Sequence, residues 1–230
     1  FRLMVSGSAA LPITTMERWE KISGQVLLER YGMTEIGMAI SNPYNGHRKP
    51  GHVGIQLPGV SIRLINDEGK ISIEGPGEIQ VKGTSVFKKY WNRPEATAES
   101  IVDGWLHTGD AGVLDEDGFL TIVDRIKDML ISGGENIYPA EIENVLLSHK
   151  SISDAGVIGV PSKKWGESPL AVIVKSDDVS PEDVMAFCNA KLAPYKAIKV
   201  VEFVDVIPRN PSGKILKRVL RDQYAEIELD

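Results

Sequence analysis

Residues 124–136 read Asp-Arg-Ile-Lys-Asp-Met-Leu-Ile-Ser-Gly-Gly-Glu-Asn, and four of the first five carry charge. So many charges close together suit an exposed joint crossed by few apolar contacts. Gly133-Gly134, a few residues on, opens backbone conformations closed to other residues or lets a ligand approach closely. The same pair reads equally well as a linker followed by a hairpin turn. The stretch therefore divides the chain into residues 1–124, a hinge at 125–127, and residues 128–230.

Downstream of the joint the pattern is a small α+β domain. Pro139-Ala140-Glu141 opens a helix with Ile142, Val145 and Leu146 on one face. Val157–Val160 and Leu170–Val174 are apolar runs expected to form strands. Ser180-Pro181-Glu182-Asp183 combines an N-cap serine with proline at the first helical position, and that helix is expected to end near Leu192. A last strand is expected over Val200–Ile207, then a polar loop and a basic terminal helix.

Upstream, residues 50–124 carry short alternating segments: Val60–Ile65, Glu78–Val81 and Phe119–Val123. Asn66-Asp67-Glu68-Gly69 and Asp115-Glu116-Asp117-Gly118 have the composition of turns between them. The expectation is an antiparallel, barrel-like sheet. Residues 1–49 read as strand (Leu3–Val5), helix (Thr14–Ser23) and strand (Val26–Leu28), the end of a parallel α/β sheet. The fold class is thus α/β plus α+β. Because the chain enters directly on an apolar run, its start is expected to be a cut within a domain.

Composition narrows the classes of function. Of 230 residues 25% are charged and the net charge is −6, with a pI near 5.4, against general nucleic-acid binding. No run approaches the ~20 apolar residues of a membrane helix. Cys188 is the only cysteine, so an internal disulfide is excluded and a reducing compartment fits. It is expected to fill the core of its helix.

Four segments carry chemistry. Tyr31-Gly32-Met33-Thr34-Glu35 follows a parallel strand, where ligands of such sheets bind; its hydroxyl and carboxylate suit a phosphate and a divalent ion, or form an ordinary turn. Asp110, in Trp105-Leu106-His107-Thr108-Gly109-Asp110, can accept hydroxyl hydrogen bonds from a ribose or simply end a turn. The joint itself is the third. The fourth, Pro208-Arg209-Asn210-Pro211-Ser212-Gly213-Lys214, presents one lysine from a Pro/Gly loop without phosphate-loop spacing, or is a basic surface loop.

In this order the four closely resemble the adenylate-forming superfamily of acyl-CoA synthetases, luciferases and peptide-synthetase adenylation domains. Met33 and Ile215-Leu216-Lys217-Arg218 depart from peptide-synthetase usage. Asn136–Glu143 looks like fatty- and aryl-acyl-CoA synthetases. The stretch from Leu28-Glu29-Arg30-Tyr31 through Ser41-Asn42-Pro43-Tyr44, with Leu57-Pro58-Gly59-Val60, is similar to malonyl-CoA synthetases.

The resemblance implies an AMP-forming acid–CoA ligase using ATP, Mg²⁺ and coenzyme A. A carboxylate attacks the α-phosphate of ATP, and the CoA thiol then takes the acyl group from the adenylate. It implies that Thr34 contacts the AMP phosphate, Glu35 holds Mg²⁺, Asp110 and Arg125 hold the ribose, and Tyr31 packs on the adenine beside Gly32 and Met33. Gly7-Ser8-Ala9-Ala10 would line the acyl and adenine pocket. Lys214 would reach the α-phosphate and carboxylate. Lys127 would be the pivot of a mobile C-terminal domain that exchanges Lys214 for Gly133-Gly134 between the half-reactions.

The family's Ser/Thr/Gly-rich phosphate loop has no counterpart in these residues, so the chain alone is expected not to complete adenylation. A carrier-loading or adenylate-only module, and a non-catalytic interaction fragment, stay open as readings. The partners implied are a small carboxylic acid, ATP and CoA, with a homodimer held open. The location implied is the cytoplasm, with an organelle matrix also open.

Overall fold

The computed structural model describes residues 1–9 and 11–229. They form two compact units, residues 1–126 and 127–230, divided within the short 3₁₀ turn Ile126–Asp128.

The first unit opens with β1 (Val5–Ser6), α1 (Ile13–Ser23) and β2 (Leu28–Met33), and β1 and β2 pair in parallel as expected. The helix closes on Gly24, at φ +70°, a left-handed conformation that costs glycine least. Both strands lie slightly later in the chain than the sequence suggested. The sheet then continues antiparallel, through β3 (Gly37–Ser41) to β4 (Ile55–Gln56), in the order β1-β2-β3-β4.

The second sheet of this unit is antiparallel. It is built from β5 (Val60–Ile65), β6 (Gly77–Gly83), β7 (Ile101–Val102), β8 (Trp105–Leu114) and β9 (Leu120–Arg125). β6 runs along one edge of β8, and β7 and β9 share the other. α2 (Pro94–Ser100) precedes β7. The alternation read in the sequence is that of a sheet with one buried face. Leu64, Ile79, Val81, Leu106 and Leu120 point inward and meet Ile36, Ala39 and Ile40 in one core. Gly54 joins the two sheets by exchanging hydrogen bonds with the neighbourhood of Leu120. A Cβ at Gly54 would fall 2.0 Å from the Ser41 carbonyl carbon, so only glycine allows this approach.

The second unit holds β10 (Leu130–Ser132), β11 (Glu135–Ile137), α3 (Pro139–Leu147), β12 (Ile152–Ser162), β13 (Gly166–Lys175), α4 (Pro181–Asn189), β14 (Val200–Phe203) and α5 (Lys217–Gln223). β12 and β13 form a long hairpin, while β14 runs parallel to β13. Their apolar runs are continuous because both faces are covered. Ala155, Val157, Ala171 and Ile173 pack beneath α3 and α4, whereas Ile158, Val160, Leu170 and Val172 pack against Leu220 of α5. Ser180 caps α4 by accepting from Asp183 N–H at 3.1 Å. Cys188 is fully buried there, and burial pushes its thiol up to about 11. No helix among the described residues is long and apolar enough to cross a membrane.

Candidate nucleotide site

In the first unit the chain brings Tyr31, Asp110 and Arg125 together. Asp110 and Arg125 are directly opposed across β8 and β9, and Arg125 Nε lies 2.6 Å from Asp110 Oδ1. Tyr31, from the other sheet, donates its hydroxyl to Asp110 Oδ2 at 2.6 Å. Each carboxylate oxygen is thus held on one side and keeps further lone-pair capacity for a ligand. Burial and the adjacent Asp110 carboxylate raise the Tyr31 phenol well above its ordinary range, so it stays a donor.

Asp110 sits in a bulge rather than at the end of a turn. Glu78 pairs with Ala111 and Gln80 with His107, so Thr108, Gly109 and Asp110 all oppose Ile79. Gly109 takes φ +68°, which redirects the following residue. Thr108 fixes the inner side of the bulge, its hydroxyl donating to Ile79 O at 2.7 Å.

Thr34 and Glu35 occupy the turn of the β2–β3 hairpin. Ile36, buried in the core, anchors that turn. A Cβ on Gly32 would lie 2.1 Å from the Gly37 carbonyl oxygen, which explains glycine inside the strand. Thr34 is exposed. Glu35 is tied down by the segment before α2: its carbonyl accepts Phe87 N–H at 2.7 Å and its Oε1 accepts the Tyr90 hydroxyl at 2.8 Å. Among the described residues no group of three or more His, Cys, Asp or Glu could hold a metal unaided. A single half-buried carboxylate suits Mg²⁺, which is commonly bound through one or two carboxylates with substrate phosphates and water.

Gly7 leaves room for Arg30, whose guanidinium carbon would be 2.7 Å from a Cβ there. Ser8 has φ +72°, and both Ser8 and Ala9 are exposed. Ala10 lies outside the described residues.

In the second unit, Gly133 and Gly134 form the turn between β10 and β11 with φ +61° and +86°. Gly133 lies against the Trp165 ring and donates its N–H to Trp165 O at 2.9 Å. Lys127 is exposed in the junction turn. Lys214 is exposed on a hairpin stapled from within: Asn210 Oδ1 accepts the N–H groups of Ser212 at 3.0 Å and Lys214 at 2.9 Å. Arg209 straps the hairpin to the sheet, with Nη1 donating to Gly213 O and both Nε and Nη2 to the Asp154 carboxylate. Immediately after it, Lys217 begins α5 and pairs with Glu143 of α3 at 3.1 Å, both side chains being largely buried.

Sequence reasoning did not single out Tyr90, Glu78 or the Asn210 staple. Asn210 had a local signal, a short polar side chain opening a Pro/Gly loop. Tyr90 and Glu78 had none, since their partners lie 55 and 31 residues away.

The AMP-binding enzyme family profile matches residues 1–91, and the AMP-binding enzyme C-terminal domain profile matches residues 141–214. A long-chain-fatty-acid–CoA ligase of Escherichia coli O157:H7 is 43% identical over 226 residues, covering 96% of this chain and 40% of the relative. A 2-succinylbenzoate–CoA ligase of Bacillus cereus is 44% identical over 228 residues, covering 98% and 47%. The crystal structure of ATP-bound MatB from Rhodopseudomonas palustris superposes with a TM-score of 0.94 at 44% identity, covering 98% and 46%. The chain thus spans under half the length of these relatives.

Proposed function

Since the chain belongs to the adenylate-forming superfamily of AMP-binding enzymes, we propose that it serves an ATP-dependent acid–CoA ligase, forming an acyl-adenylate with release of pyrophosphate and then an acyl-CoA with release of AMP. The observation that carries this reading is the Asp110 carboxylate, held from either side by Tyr31 and Arg125 and oriented by a bulge. Such a carboxylate suits the paired hydroxyls of a ribose, and its charge-assisted contact with Arg125 fixes its orientation.

Each remaining residue has a task that its setting supports. Thr34, on the exposed turn, offers a hydroxyl to the AMP phosphate. Glu35, steadied by Tyr90, would hold Mg²⁺, which when bound neutralises phosphate charge. Tyr31, Gly32 and Met33 form the strand edge proposed to face the adenine, and Gly7, Ser8 and Ala9 the edge proposed to face the acyl group. Lys214 is a compact charge on a flexible stem, suited to reach the phosphate and carboxylate oxygens during adenylation. Gly133-Gly134 is proposed to face the pantetheine thiol in the second half-reaction, with Lys127 as pivot. No protein nucleophile is required, and positioning with charge neutralisation supplies the acceleration.

Relatives named for acids as unlike as a long-chain fatty acid and 2-succinylbenzoate resemble the chain about equally. The acid is therefore proposed only as a fatty or short-chain, malonate-type carboxylate.

The test is to incubate the full-length enzyme with ATP, Mg²⁺ and acids from malonate to palmitate, with and without CoA. Mass spectrometry would follow AMP and acyl-CoA, with Lys214→Ala as control. CoA-dependent thioester that is lost in the control is expected. Adenylate without thioester would instead assign a carrier-loading or adenylate-only module, and no turnover of any acid would overturn the catalytic reading.

A further inference from the structure

The bulge that orients Asp110 is clamped from its outer side by a chain of polar groups. Glu78, on β6, accepts the Gly109 N–H with Oε1 at 3.2 Å, and its Oε2 lies 2.7 Å from His107 Nδ1. A carboxylate only accepts, so Nδ1 carries the hydrogen of that bond. The Gln80 amide nitrogen packs on the His107 ring, 3.1 Å from both Nδ1 and Nε2. The Gln80 amide is oriented in turn, because its Oε1 accepts Arg63 Nε at 2.8 Å. Arg63 itself stacks over the Trp105 ring at 4.2 Å. The bonds converge on Glu78, whose carboxylate is held by His107 on one side and by the Gly109 N–H, the amide directly before Asp110, on the other.

A three-against-one bulge leaves the ladder locally open, and glycine adds backbone freedom there. Thr108 secures the inner side, its hydroxyl also accepting the Asp110 N–H at 3.2 Å. The outer side has Glu78. We propose that Glu78, with His107 as its support, is a positioning residue for ribose recognition: it fixes the bulge so that the Asp110 carboxylate meets the sugar hydroxyls. Neither side chain need touch the nucleotide. The inference rests on the assignment of Asp110 to the ribose.

The test uses the full-length enzyme and compares ATP with 2′-deoxy-ATP, KM for each being measured beside KM for the acid. Asp110→Ala should abolish the preference for ATP. Glu78→Ala should raise KM for ATP about tenfold, the effect of losing a charge-assisted bond, and bring the two nucleotides to similar values. KM for the acid should not move. Glu78→Gln keeps an oxygen that can accept the Gly109 N–H and should recover most of the preference, which separates positioning from misfolding. Asp110→Ala with Glu78→Ala should discriminate no less than Asp110→Ala alone.

If Asp110→Ala loses the preference while Glu78→Ala keeps it, the clamp is refuted and the ribose assignment stands. If Asp110→Ala keeps the preference, the ribose assignment falls and the inference with it. Should Glu78→Ala fail to fold, Glu78→Gln and His107→Ala decide: an unchanged preference in both refutes the clamp.

Discussion

Replacing Lys217 by methionine should strip the second unit of a buried charge pair. The Lys217 side chain is 9% exposed and that of Glu143 13%, with 3.1 Å between ammonium and carboxylate. Methionine fills much of the lysine stem's volume, so packing is nearly conserved and the change is mainly electrostatic. What remains is the Glu143 carboxyl in a poorly solvated place, with Oε1 also accepting the Val157 N–H at 2.8 Å. Removing one partner of such a pair costs about 3–5 kcal/mol, whereas removing both charges is nearly neutral.

The second unit should therefore open about 10²- to 10³-fold more often at the lower end of that range, each ~1.4 kcal/mol being a factor of ten. Native-state hydrogen exchange of amides in β12 and β13 reads that opening directly. Adding Glu143→Gln, which retains an acceptor for Val157, should restore most of the protection. A loss below about 1 kcal/mol from Lys217→Met alone, typical of an exposed pair, would refute the reasoning.

Glu29 is 6% exposed with Oε2 unpartnered, and burial raises its carboxyl from 4.5 to about 7. The folded state thus holds a proton that the unfolded chain releases, so this contribution is full below pH 4.5 and is lost by about pH 7. Glu29→Gln should melt higher than wild type at pH 8, with the advantage gone at pH 4.5; a constant difference in calorimetry would contradict the assignment. Gly32→Ala should cost several kcal/mol in a thermal melt, because its Cβ meets backbone at 2.1 Å. Gly37→Ala meets only open space at φ +62° and should cost about 1 kcal/mol. Equal costs would argue against the hairpin register. Asn210→Ala should slow acyl-adenylate formation about tenfold in single-turnover assays while leaving ATP affinity unchanged; an unchanged rate would show that the staple does not matter.

Local chemistry made much of the fold legible. Ser180-Pro181 marks the start of α4, Asp115–Gly118 marks its turn, and the apolar runs at 157–160 and 170–174 mark strands buried on both faces. β8 was not legible as a strand, because Thr108-Gly109-Asp110 breaks the two-residue alternation at the bulge. Its ends hide too, since Trp105 and His107 face outward on a sheet whose period depends on register. The last strand stops at Phe203 rather than Ile207; the chain turns after Val204 bonds back to Ile173, while Ile207 enters the core beside α5. In the site, residues contiguous with a motif could be found, whereas Tyr90 and Glu78 become visible only once distant strands are paired.

The stapled hairpin around Lys214 has a kinetic consequence. With Asn210 closing the loop and Arg209 strapping it to Asp154, the backbone beneath the lysine has no search of its own to make. The ammonium is left with only the torsions of its stem, so its effective concentration at any acceptor is set by where the whole unit stands. On the pivot proposed at Lys127, such a charge would be a two-position contact, present or withdrawn, and would engage at the rate at which its carrier moves.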